Sequence, residues 1–240
     1  MSDRVSRLAE VRASTSALLA GLDAERWTDA DLRAPSALPG WTRGHVLTHI
    51  ARNADGIAAT LAGALRGEVV PRYPNGSAGR DADIEAGSGR GAVELIIDVR
   101  DSADRLDRLF GAVTDASGWD LTTENDRPAH SWLAARWGEV EIHRADLRGA
   151  YGPAGWPATF VGYLLPRLAV EVGTRTGRPL RVEVAHEGSR TTDLGGTAWT
   201  SGSAGVTVRG PDWALLAWLT GRASLADGQL SAMPELSPWN

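Results

Sequence analysis

Apolar residues recur at steps of three and four through the first half of the chain, the period of helices with one buried face. Val5, Leu8, Val11, Leu18, Leu19 and Leu22 form a loose stripe that predicts a helix over residues 4–22. Beyond "RAPSALPGW", Thr42 is placed as N-cap of a second helix reaching about residue 66, with Gly67 to stop it. Its stripe is Val46, Ile50, Ala54, Ile57, Leu61 and Leu65. The segment "YPNGSAGRDADIEAGSGRG" is rich in glycine and turn formers and reads as a long loop, with at most a short turn at residues 81–85. A third stripe, Ile96, Val99, Ala103, Leu106, Phe110 and Val113, predicts a helix over residues 92–113, and a fourth helix is expected over 130–148. Four amphipathic helices joined by loops predict a four-helix bundle, a fold that builds its sites from side chains on facing helices.

The pattern changes after "YGPAGWPA". A helix over residues 159–176 leads into "PLRVEVAHE", "RTTDLGG", "AWTSG" and "AGVTVRG", which alternate like strands and carry turn glycines. "PDWALLAWLTGR" closes as a helix, with Pro211 in its first turn and Gly221 at its end. The fold class expected is α+β, with a helical bundle over residues 1–152 and a small α+β domain over 153–240.

Composition narrows the chemistry. Net charge is −5 with no basic run, so nucleic acid is not an expected partner. No apolar stretch approaches the ~18 residues that span a bilayer, and no signal core opens the chain, so a cytoplasmic protein is expected. There is no cysteine, which excludes disulfides, thiolate ligands and a cysteine nucleophile; any thiol chemistry must borrow its sulfur. The ten tryptophans are read mainly as core packing.

The fourth helix, "SWLAARWGEVEIHRADL", carries Leu133, Trp137, Val140, Arg144 and Leu147 on its packing face. Beside them runs a polar line of Trp132, Arg136, Glu139, His143 and Asp146. Glu139 and His143 lie one turn apart, offset by about 40° and ~6 Å of rise, so both can grip one ion. Glu141 points about 160° away from His143. In "WTRGHVLTHIARNADGI", His49 sits about 40° nearer the buried stripe than His45, so it is the one expected to face the bundle interior. His49, Glu139 and His143 make a set of three ligands with room for a fourth, the pattern of catalytic zinc or of non-heme iron. Glu and His four apart also describe an ordinary polar helix face, so spacing alone leaves both readings open. His45 reads as a capping-turn histidine, and His130 and His186 as structural. Arg136 reads as a residue that orients a ligand or meets an anion, or as a salt-bridge partner of Glu139 or Asp146. Trp41 and Trp132 read as packing residues.

"LPGWTRGHVLTHIARNA", "RWGEVEIHRADLRGA" and "GPDWALLAWLTGRASLADG" together resemble the mycothiol-dependent maleylpyruvate isomerases, of the DinB-like metalloenzyme superfamily. The resemblance covers nearly the whole chain in order and implies a DinB-like four-helix bundle followed by a small C-terminal α/β domain. Through "HVLTH" the family's first metal histidine falls on His49; through "EVEIH" its glutamate and second histidine fall on Glu139 and His143. Its functional arginine near the C-terminus falls on Arg222 of "LTGR", and its loop arginine on Arg80 of "GRDADIE"; both are expected to bind the cofactor or substrate, with Arg222 catalytic. The implied cofactors are Zn²⁺ or another divalent ion, and mycothiol. The implied reaction converts maleylpyruvate to fumarylpyruvate, as in gentisate-type aromatic degradation: a thiolate adds to the cis double bond, the resulting single bond rotates, and the thiol is expelled. A small unsaturated dicarboxylate and a low-molecular-weight thiol are the expected partners of a monomer. The alternatives are a mycothiol S-transferase, or a metal-binding or ligand-binding protein without catalysis.

Overall fold

The helix-period stripes form helices because burying their apolar faces together is what makes them stable. The computed structural model describes residues 2–203, 205–226 and 228–236. The chain divides into two units, Met1–Ala150 and Tyr151–Asn240.

In the first unit the bundle is made of α1 (Ser2–Glu25), α3 (Arg43–Leu65), α5 (Ala92–Asp115) and α6 (Ser131–Asp146). Each of α1 and α3 packs against both α5 and α6, so α1 and α3 occupy opposite corners of the bundle. Leu18, Leu22, Val46, Leu47, Ile50, Leu95, Val99, Val140 and Leu147 are buried in one core cluster. Glu141 is also buried, on the side of α6 that faces α1, where it accepts a hydrogen bond from Ser14 Oγ. A short α2 (Asp29–Arg33) precedes α3, capped by Thr28 and Asp31.

The segment read as a loop contains a 13-residue helix, α4 (Gly76–Ser88). Its sequence is a poor helix former and buries only Ile84, so propensity gives no sign of it. Packing against α3 forms it instead. Gly44 on α3 permits this approach, because any side chain there would collide with the Ser88 carbonyl. Gly56 does the same for the segment that leads to α4, since a Cβ there would lie 2.8 Å from the Arg72 carbonyl oxygen.

The second unit holds α7 (Ala158–Ala169), α8 (Val172–Thr176), β1 (Leu180–Val184), β2 (Ala198–Ser201), β3 (Thr207–Gly210) and α9 (Asp212–Leu219). The sheet order is β2-β1-β3, antiparallel between β1 and β2 and parallel between β1 and β3. One continuous helix over 159–176 is replaced by two. Pro166 lies inside α7 and has no N–H to give, and the chain tightens to a Glu171 N–H to Leu168 carbonyl bond before α8 begins. "RTTDLGG" is not a strand either. The buried Asp212 carboxylate accepts the Arg190 and Thr191 amides at 2.8 and 2.7 Å, so these groups are spent on a turn rather than on a ladder. No helix among the described residues is long and apolar enough to cross a membrane.

Candidate metal centre

The two histidines of "HVLTH" have separate tasks. His45 stands at the third position of α3, and its Nδ1 accepts the N–H of the N-cap Thr42 at 3.2 Å while Thr42 Oγ1 accepts the His45 amide at 3.3 Å. This reciprocal box satisfies two of the donors that every helix start leaves open. The Nε2 of His45 reaches Glu85 on α4 at 3.1 Å. His49, one turn on, is buried and faces α6.

His49 Nε2 lies 2.9 Å from Glu139 Oε2 and 3.1 Å from His143 Nε2, and His143 Nε2 lies 3.4 Å from the same Glu139 oxygen. Tetrahedral ligands bound at ~2.0–2.1 Å sit ~3.3 Å from one another, so these three atoms are spaced as one ion would hold them. Among the described residues this is the group of His, Asp or Glu side chains whose ligand atoms converge in this way. The chemistry of the set fits a divalent ion as well. Two Nε2 atoms facing each other at hydrogen-bond distance need a proton or a cation between them, and the carboxylate supplies one negative charge. Burial pushes the Glu139 carboxyl upward, but hydrogen bonds from His143 and His49 and their charges outweigh it and hold it well below the usual value. His49 is driven down, by burial first and then by the charge of His143. These two shifts favour ionised carboxylate and neutral imidazole, the forms that bind metal. On His143, by contrast, burial is outweighed by Asp146 and Glu139, which raise its pKa, so an ion would bind there in exchange for the Nε2 proton.

Asp146 orients the site. His143 Nδ1 donates to Asp146 Oδ2 at 2.8 Å, and Asp146 is fully buried. That bond fixes the tautomer and leaves the Nε2 lone pair for an ion. The signal was available in the sequence, since Asp146 stands three residues beyond His143 on the same helical line. Replacing Asp146 with alanine is expected to weaken metal affinity by about 10-fold to 100-fold. Competition with a chromophoric chelator measures this, and affinity within twofold of the parent in a folded variant would contradict it.

Arg136 pairs with neither Glu139 nor Asp146. Its Nη1 donates to the Ile50 carbonyl and to Asn53 Oδ1, both at 2.9 Å, across the seam to α3. A guanidinium can cross the core here because these two acceptors receive it, and burial lowers its pKa to about 10. As α3 advances from His49 to Asn53, its partners on α6 retreat from His143 and Glu139 to Arg136, so the helices run antiparallel. Asn53 carries no charge, and nothing in its spacing marks it in the sequence. Trp41 packs edge-on against His49 with ring centroids 5.6 Å apart, and Trp132 is fully buried. His130 bonds the Trp119 carbonyl at 3.1 Å, outside the triad.

Of the two arginines, Arg80 lies on α4, paired with Asp81 at 3.2 Å, and its charge acts on His49. Arg222 belongs to the second unit, where it follows α9 and its Nη1 donates to the Thr220 carbonyl.

Comparison with known proteins bears on the fold and on the family of the chain. No curated protein matches the chain. A crystal structure of a mycothiol-dependent maleylpyruvate isomerase superposes with a TM-score of 0.81 at 24% identity, over 98% of this chain and 97% of that one. The structure of a histidine-to-alanine mutant of a mycothiol-dependent maleylpyruvate isomerase gives the same values, 0.81 and 24%. At this identity the likeness speaks for the fold. The family model described as the mycothiol maleylpyruvate isomerase N-terminal domain matches residues 8–148, which include α3, α6 and all three candidate ligands. The chain belongs to the mycothiol maleylpyruvate isomerase N-terminal domain family.

Proposed function

We propose that this protein is a metal- and mycothiol-dependent cis-trans isomerase that converts maleylpyruvate to fumarylpyruvate. The observation that carries the reading is the convergence of His49, Glu139 and His143 within hydrogen-bond distance, with Asp146 behind His143. Family membership supports the chemistry, and the likeness to a solved mycothiol-dependent maleylpyruvate isomerase supports the fold on which it runs.

His49, Glu139 and His143 hold the ion, zinc by preference for this donor set. When bound, the ion lowers the pKa of a thiol brought to it, which makes a nucleophile for the cis double bond available at neutral pH. The chain would supply three ligands to the ion, leaving room for a thiol to reach it. Asp146 keeps His143 in the metal-binding tautomer, and Glu139 contributes the one negative charge of the set. With no cysteine in the chain, the sulfur comes from outside. Arg80 and Arg222 offer planar donor forks for a substrate carboxylate or for the enolate formed on addition.

One assay tests the reading. Purified protein, Zn²⁺, mycothiol and maleylpyruvate are mixed, and the ultraviolet change and the free thiol are followed together. The proposal expects many turnovers at constant thiol. Thiol consumed one for one with substrate would make the protein an S-transferase, and no change in either signal would leave a metal-binding protein without this activity; both results overturn the proposal.

A further inference from the structure

The seam between α3 and α6 continues past the triad in polar layers. After His49 opposite Glu139 and His143 comes Asn53 opposite Arg136. Two turns from Glu139, ~10 Å along α6, stands Trp132. Its indole N–H donates to Thr123 Oγ1 at 3.0 Å, and its ring carries two arginines, Arg127 with Cζ 4.0 Å and Arg72 with Cζ 5.3 Å from the ring centre. Arg72 also lies 4.7 Å from the Tyr73 ring, on the segment that Gly56 lets down onto α3.

The pair is short of negative charge. Other arginines of the bundle hold carboxylates closely, as Arg52 and Arg90 each hold Asp98 at 2.6 Å. Arg72 and Arg127 share one carboxylate, Glu124, which lies 3.7 Å from Arg72 Nε and spends its other oxygen on the Arg72 backbone amide at 2.7 Å. Arg127 Nε donates to Ser131 Oγ at 3.2 Å, and among the described residues the terminal nitrogens of both guanidiniums have no hydrogen-bond acceptor. Two guanidiniums and one carboxylate leave a single positive charge. Burial and then the charge of Arg72 lower the pKa of Arg127, so the two cations are held together at a cost. The loop that presents Arg127 is strained as well: Asn125 and Asp126 sit at φ 55° and 57°, two consecutive non-glycine residues in the left-handed region.

We infer that Arg72 and Arg127, stacked on Trp132, form a carboxylate subsite that takes the acid end of a small organic acid. A single carboxylate matches the one uncompensated charge, and planar guanidinium forks suit its flat, bidentate shape. This inference rests on the proposed function, whose substrate carries carboxylates. It names a role for two arginines other than Arg80 and Arg222.

The test is a calorimetric titration of maleate into the metal-stripped full-length protein, with acetate and inorganic phosphate as comparisons. The variants are Arg127→Gln, Arg127→Lys and Arg72→Gln, each with its melting temperature. Maleate affinity should fall about 10-fold to 100-fold in both glutamine variants at unchanged melting temperature, with Arg127→Lys between them and the parent. In the metal-loaded enzyme, Arg127→Gln should raise KM for the diacid more than it lowers kcat. If the parent shows no isomerase turnover, the proposed function fails while the titration still decides the subsite. Unchanged maleate affinity in both folded glutamine variants would overturn the inference. So would phosphate binding tighter than maleate, or a defect that follows the melting temperature, which would make the pair a roof over Trp132.

Discussion

Alanine at His49 is expected to abolish metal binding while leaving the fold in place. The Nε2 of His49 is the atom that faces both other ligands, at 2.9 and 3.1 Å, so its removal leaves two ligands on one helix and none opposite. Losing one of three protein ligands should lower affinity on the order of a thousandfold, about 4 kcal/mol. Glu139→Ala and His143→Ala should behave alike. The fold should survive, because α3 is held by its Thr42 and His45 cap and by Val46, Leu47 and Ile50 in the core. His45→Ala makes the control: it removes a cap contact worth about 1 kcal/mol and should lower the melting temperature with metal retained. Elemental analysis of the purified variants reads the result. Full occupancy in His49→Ala, or loss in His45→Ala instead, would overturn the ligand assignment.

The second large effect is expected at Arg222, where charge and shape can be separated. Arg222→Lys keeps the charge but loses the planar fork. If that fork grips a carboxylate or enolate, the lost contact of ~2–4 kcal/mol lowers the rate by roughly 30-fold to 1,000-fold, with Arg222→Ala at least as impaired. Metal content should be unchanged in both. The competing role is visible in the structure. Arg222 follows Gly221, whose φ of 79° ends α9, and its Nη1 turns back to the Thr220 carbonyl, a favourable place for a cation at a helix end. Melting temperatures distinguish the two. Parent-like turnover, or a defect that tracks a fallen melting temperature, would make Arg222 a clamp on α9 and move the anion-holding role to Arg80.

The main helices and the candidate ligands could be read from the sequence because both obey a local period. Val46, Ile50, Ile57 and Leu61 mark the buried face of α3, and the same angular arithmetic separates His49 from His45 and Glu139 from Glu141. What escaped was set by tertiary contact. Helix α4 has glycines and aspartates where strong helix formers are expected, and it forms by packing on α3 through Gly44. The residues of "RTTDLGG" alternate like a strand, yet the buried Asp212 captures their amides from more than twenty residues away. Arg136 was read against the carboxylates of its own helix, whereas its acceptors, the Ile50 carbonyl and Asn53, come from the facing one. Arg72 and Arg127 are 55 residues apart, and only the fold brings both onto Trp132.

The most direct measurement is anomalous diffraction at the zinc edge from a crystal of the zinc-loaded protein. The account requires one strong peak within ~2.0–2.2 Å of His49 Nε2, His143 Nε2 and a Glu139 carboxylate oxygen. A crystal loaded with zinc that shows no peak there, or its strongest peak on other residues, would contradict it.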